Sequence, residues 1–278
     1  MQDGGAAAAG GAGEGSDDPP LLDAARHGRL ADVAEALARG DDVDATATDG
    51  SRLTALNAAC WHGHTAIVTK LLAANADVHQ AESNGITPLN IACQEGHTEI
   101  VKKLIDAGAN VDKADEDGVT PLCSASAAGH TEIVTKLLAA NANVNRATGN
   151  GLTPLYVACG QGHAEIVTKL LAANANVDQA DEDGTTPLIV ACMEGHSAIV
   201  TMLIGAGSDV DKVDTDNDFP QTPLIAACRN GHAAIVTILI AANANVNRPT
   251  RAATRRCTSP ARGATPISPR SCSPPTPP

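Results

Sequence analysis

The dipeptide Gly-His recurs at Gly63-His64, Gly96-His97, Gly129-His130, Gly162-His163, Gly195-His196 and Gly231-His232, at intervals of 33, 33, 33, 33 and 36 residues. A fixed period in this range demands a solenoid, in which each unit buries its apolar face only against its neighbours. Such an array has no single deep core closing around one cleft, so function has to be sought along a surface.

Composition agrees with a stack of small units. Trp61, Tyr156 and Phe219 are the only aromatic residues among 278, yet 43% of the chain is hydrophobic. A core of this kind is built by short helices packed closely through Ala, Leu, Ile and Val. The unit is clearest between Gly85 and Asp112. Thr87 predicts an N-cap with Pro88 at the first helical position, and Leu89, Ala92 and Cys93 make the inward face. Gly96 closes this helix. Thr98 opens a second, whose Ile100, Val101, Leu104 and Ile105 fall at helical spacing before Ala107-Gly108 ends it through a left-handed residue. Four units carry Asn at that point instead (Asn75, Asn141, Asn174 and Asn243), the commonest alternative to Gly in that backbone region. An extended stretch such as 109–112 and an Asp/Gly turn such as 115–118 then predict a β-hairpin finger. Neither helix persists alone at this length, so order must come from stacking.

The Thr-Pro-Leu, Gly-His, Ile-Val, Leu-Leu and Asn-Val-Asn/Asp series resembles the ankyrin repeat. The resemblance implies an all-α solenoid of about seven stacked helix-turn-helix units with β-hairpin fingers. It covers residues 21–247: a degenerate first unit at 21–47, then units opening near 49, 83, 116, 149, 182 and 215. The His that follows Thr-Pro-Leu in that family is replaced by Asn57, Asn90, Cys123, Tyr156, Ile189 and Ile225. This exchange is expected to remove a polar group near the concave side.

The two ends differ. Residues 1–20 form a Gly/Ala-rich leader expected to be flexible. In the first unit Arg26, His27, Arg29, Asp32, Glu35 and Arg39 surround the apolar positions, as an N-terminal cap requires. At the other end the Lys found at 70, 103, 136 and 169 becomes Met202 and then Ile238, so either further repeats follow or something covers that face. Residues 248–278 hold eight Pro and six Arg and are expected to be disordered. The first finger, between Ala45 and Leu53, and the last, between Val213 and Gln221, are longer than the others. They either extend the binding edge or reflect neutral loop variation.

The net charge of −13 conceals a division: residues 1–247 carry 13 basic against 32 acidic side chains, a net of −19, and the acid-free tail supplies the remaining Arg. An acidic body repels phosphate backbones, so no nucleic-acid partner is expected, and a basic protein or peptide is favoured. A purely solubilising surface is the alternative. With no apolar stretch near the roughly 18 residues of a membrane span, no membrane span is expected, and the compartment is read as cytoplasmic, with the nucleus as alternative. A monomer is the default.

Nine His and eight Cys raise the question of a metal site. Homologous positions in successive units lie about 8–10 Å apart, whereas two zinc ligands lie within roughly 4 Å of each other. The repeated His is therefore read as a junction residue bonding nearby backbone. Cys60, Cys93, Cys159, Cys192 and Cys228 share one helix position with Ser126, which marks a small, tightly packed site. No residue constellation breaks the repeat as a catalytic site must, so neither enzymatic activity nor a cofactor is expected.

In ankyrin-like arrays partner specificity sits on the finger tips and on the exposed ends of the first helices. The candidate partner-binding residues at those positions are Trp61, His62, Gln94, Glu95, Glu116, Tyr156, Gln161, Glu182, Met193, Glu194, Phe219 and Arg229. These positions vary between units while Thr-Pro-Leu and Gly-His stay nearly fixed. The resemblance implies a non-catalytic scaffold that binds a protein or peptide along this surface. The alternative is the ankyrin portion of a larger regulatory protein, such as a kinase, a ubiquitin-ligase adaptor or a channel. Trp61 is the strongest anchor by type, with packing against the first finger as its structural alternative.

Overall fold

The computed structural model describes residues 18–214 and 220–247. The predicted leader up to residue 17, the tail 248–278, and residues 215–219 of the last finger, with Phe219, lie outside the described residues. Among those described, fourteen helices form seven antiparallel pairs. The inner row is α1 (Pro20–Arg26), α3 (Ala55–Trp61), α5 (Pro88–Gln94), α7 (Pro121–Ala128), α9 (Pro154–Gln161), α11 (Pro187–Glu194) and α13 (Pro223–Arg229). The outer row is α2 (Leu30–Arg39), α4 (Thr65–Ala73), α6 (Thr98–Asp106), α8 (Thr131–Ala139), α10 (Ala164–Ala172), α12 (Ser197–Gly205) and α14 (Ala233–Ala241). Inner helices pack on each other more extensively than outer ones do, which puts the inner row on the shorter arc.

Local chemistry sets each pair. The hydroxyls of Thr54, Thr87, Thr120, Thr153, Thr186 and Thr222 each accept the N–H of the third helical residue, satisfying a donor the helix leaves open. Pro fills the first helical position in the last five of these, where its missing N–H costs nothing. Outer helices end where predicted: Asn75, Asn141, Asn174 and Asn243 stand at φ 61–63°, and Gly108 and Gly207 at 89° and 91°. Ile100, Val101 and Leu104, with their counterparts in every pair from α4 to α12, are fully buried, and one apolar cluster runs from Leu21 to Ala244.

The fingers are turns rather than paired strands. They close on short turn bonds, such as Glu82 N–H to the Ile86 carbonyl (2.9 Å) with Gly85 N–H to the Glu82 carbonyl (3.0 Å), and among the described residues one isolated bridge joins Thr46 and Thr54. The order comes from sideways links. Backbone N–H groups of Ser83, Glu116, Gly149 and Glu182 donate to carbonyls of the preceding finger, at Ser51, Asn84, Asp117 and Asn150. Below them a side-chain ladder repeats the link: the carboxylate or amide oxygens of Asp112, Asn145, Asp178 and Asp211 accept from the N–H of Asn143, Asn176, Asp209 and Asn245 in the next unit, at 2.7–3.1 Å. The longer first finger absorbs its two extra residues with Gly50 and Arg52 both at positive φ.

The first unit is a polar cap, as its sequence predicts. Arg26 pairs with Asp18 at 2.9 Å, Arg29 with Asp23 and Asp32, and Arg39 with Glu35 and Asp41. Burial at the site of the missing family His is uneven: Asn57, Asn90, Cys123 and Ile189 are at most 3% exposed, whereas Tyr156 and Ile225 are half-buried. At the four buried positions the exchange alters the interior of the stack. Asn90 takes up the bridging task by donating from Nδ2 to the Val119 carbonyl of the next unit at 3.1 Å.

Candidate partner-binding surface

The Gly-His pair is the element that places the surface. Gly63, Gly96, Gly129, Gly162 and Gly195 adopt φ 71–84°, and a Cβ on any of them would stand 2.6–2.7 Å from the imidazole of the next unit. That imidazole reaches back further. Nε2 of His97, His130, His163, His196 and His232 lies 3.0–3.3 Å from the carbonyls of Trp61, Gln94, Ala127, Gly160 and Met193, at the end of the preceding inner helix. A carbonyl can only accept, so Nε2 carries the proton. The repeated His thus bonds the unit before it, and no group of three or more His, Cys, Asp or Glu among the described residues could hold a metal ion.

With each helix end pinned in this way, the variable side chains stand at fixed intervals. His62, Gln94, Glu95, Gln161, Glu194 and Arg229 are exposed at inner-helix ends, and Glu116 and Glu182 are exposed on finger tips. Trp61 and Met193 are half-buried and packed on the core. Trp61 is engaged already: its Nε1–H donates to Glu82 Oε1 at 3.2 Å, so the indole leans on the second finger rather than the first. Tyr156 stands three units further along, on α9, with Asp181 of the following finger close to its hydroxyl. Burial first, and then the nearby Asp181 carboxylate, raise its pKa. Glu82 and Asp181 occupy homologous finger positions, a link invisible in the sequence because the two aromatics sit at different helix positions.

Electrostatics divides this surface. The His62 and His64 rings lie 5.8 Å apart, and burial, followed by the charge of His64, lowers the His62 pKa. Further along the array, Glu116, Glu182 and Glu194 make no ion pair among the described residues, whereas the outer-face Glu132 and Glu165 pair with Lys136 and Lys169. A shallow, open depression of about 310 Å³ lies on the outer row, lined by Lys102, Ile105, Asp106, Lys136, Ala139 and Ala140, and touches none of the candidate residues.

The thiols are interior. Burial pushes the pKa of Cys60, Cys93 and Cys159 up strongly and that of Cys192 up to about 12. Cys228 departs from the expectation of a tightly packed position and is exposed. No helix among the described residues is long and apolar enough to cross a membrane.

No curated protein matches the chain in sequence. Family models do: one for ankyrin repeats (3 copies) matches residues 56–148 and 122–214, and one for ankyrin repeats (many copies) matches 190–240. Together with the capped helix pairs and the Gly-His junctions, these matches establish that the chain belongs to the ankyrin repeat family.

Proposed function

We propose that the protein is a non-catalytic scaffold that binds a basic protein or peptide segment along the inner-helix ends and finger tips. Ankyrin repeats are generally protein–protein interaction modules. The observation that carries the finer reading is the row of exposed carboxylates, Glu95, Glu116, Glu182 and Glu194, set on a frame whose backbone groups are already hydrogen-bonded. Such a row attracts a cationic segment at long range and fixes its register at contact. Trp61 and Met193 offer apolar contact beside it, the indole pre-oriented by Glu82 so that little side-chain entropy remains to be lost on binding.

Selection of displayed random peptides on the full-length chain tests this. Enriched peptides should be rich in Lys and Arg, and should lose affinity about tenfold or more when Glu116→Lys, Glu182→Lys and Glu194→Lys are combined. Peptides with no basic bias, or binding untouched by the triple variant, would overturn the proposal.

A further inference from the structure

Trp61 and Tyr156 are the aromatic side chains among the described residues, and each stands against a carboxylate of the following finger. Those carboxylates share one place in the repeat: Glu82 and Asp181 are 99 residues apart, three periods of 33. Fingers that carry Asp115, Thr148 and Asp214 at this place follow α5, α7 and α11, none of which has an aromatic residue. Ring and finger carboxylate therefore meet at two places among the described residues. Both pairs are open to a ligand, because Trp61, Glu82, Tyr156 and Asp181 are only half-buried. Glu82 Oε1 accepts the indole N–H at 3.2 Å, and Asp181 Oδ1 accepts the backbone N–H groups of Asp183 and Thr185 at 3.0 and 2.8 Å. Each carboxylate is thus held in position, yet neither makes an ion pair among the described residues.

We propose that Trp61 with Glu82, and Tyr156 with Asp181, are two subsites that each take one arginine side chain of a single extended partner segment. This rests on the reading of the inner-helix ends and finger tips as a surface for a basic segment, and adds which residues are recognised and how far apart. A guanidinium is planar, so it stacks on a ring while its N–H fork meets a carboxylate beside that ring; an ammonium is a point charge and matches only one of the two. At the second subsite Asp183 and Asp214 add negative charge near the Tyr156 hydroxyl.

The repeat sets the spacing. Successive units lie about 8–10 Å apart, so three units separate the subsites by roughly 24–30 Å. An extended chain advances about 3.3 Å per residue, which puts the two arginines about seven to nine residues apart. A segment that satisfies one subsite brings its second arginine to the other without a further loss of translational freedom, so the matched spacing binds more tightly than either arginine alone.

Titration of the full chain with peptides that carry two Arg in an uncharged Gly/Ser background tests this, up to about 1 mM and followed by the emission of Trp61, the single tryptophan. Affinity should peak when the two Arg are about seven to nine residues apart, and should fall about threefold or more when both become Lys. Glu82→Gln and Asp181→Asn keep the oxygens that accept the indole and finger N–H groups and remove only the charge, so the fold should persist, which circular dichroism checks. Each should weaken the best peptide about tenfold and erase the spacing preference, whereas Glu99→Gln, exposed on α6, should do neither. Residues 248–278 carry six Arg, so the series is repeated on the full chain with those six changed to Ser. Spacing-dependent binding seen only with that variant would give the subsites to the chain's own tail and overturn a partner as their occupant. Emission that no two-Arg peptide changes, equal affinity at every spacing, or indifference to Glu82→Gln and Asp181→Asn would overturn the two subsites. If basic peptides still bind through Glu116, Glu182 and Glu194, the broader reading survives that result; if no basic peptide binds, both fall.

Discussion

The imidazole of His130 occupies the space that a Cβ on Gly96 would need, 2.6 Å from that position, while its Nε2 reaches the Gln94 carbonyl two residues earlier at 3.1 Å. Gly96 is thus required twice, by its φ of 80° and by the ring above it. Gly231 has a similar φ of 76° and open space instead. Gly231→Ala should cost about 1 kcal/mol, the conformational penalty alone, and Gly96→Ala about 2–3 kcal/mol. Urea unfolding of the two variants measures the difference; equal losses would show that the ring shifts freely.

Caps separate in the same way. Thr186→Ala removes one accepted N–H bond and should cost about 1 kcal/mol. At Thr87 the hydroxyl also donates to the buried Asn90 Oδ1, so Thr87→Ala should cost about 1 kcal/mol more. Thermal and urea midpoints of both variants provide the comparison, and Thr87→Ser should recover most of the loss.

Alkaline pH should destabilise the array in a defined direction. The thiol pKa of Cys192 is raised by burial from 9.0 to about 12, so the folded state holds its proton where the unfolded state releases it. The contribution is fully present below pH 9 and is lost as pH rises from there toward 12, at about 1.4 kcal/mol per pH unit per thiol. Cys60, Cys93 and Cys159 shift in the same direction and add to the slope. Cys192→Ala should flatten it between pH 9 and 11, measured by urea unfolding across that range; an unchanged slope would assign the alkaline loss to other groups.

Trp61 is the single tryptophan and therefore its own reporter. Glu82→Ala releases the indole N–H and should red-shift its emission while costing about 1 kcal/mol or less in stability, because the ring stays packed on the core. Trp61→Phe should cost a similar amount, for the same lost bond together with a slightly smaller ring. An emission maximum indifferent to Glu82 would mean that the contact is not held in solution.

The repeated features were legible because four to six copies of each cue reinforced one another. Thr before Pro, Gly before His and Asn after Ala-Ala gave the helix starts and stops, and the caps at Thr87 and Thr186 and the left-handed Asn141 lie where those cues put them. What was not legible depends on neighbours 21 to 36 residues away. That His130 bonds the Gln94 carbonyl, that Asp112 accepts from Asn143, and that Trp61 donates to Glu82 all follow from unit-to-unit offset. Period fixes only that units stack, not by how much each slides. The finger prediction overstated strand pairing, because side-to-side links at Glu116 and Glu182 replace the ladder a hairpin would have formed.

The junction bonds run in both directions: His163 reaches back to Ala127 in the preceding unit, and Asp112 holds the loop of the following one at Asn143. Any cleavage between units would leave vacant glycine seats on one fragment and protruding imidazoles on the other. The two products would be mutually cohesive ends, so a nicked chain should remain associated and bury its cut surfaces again without a covalent connection.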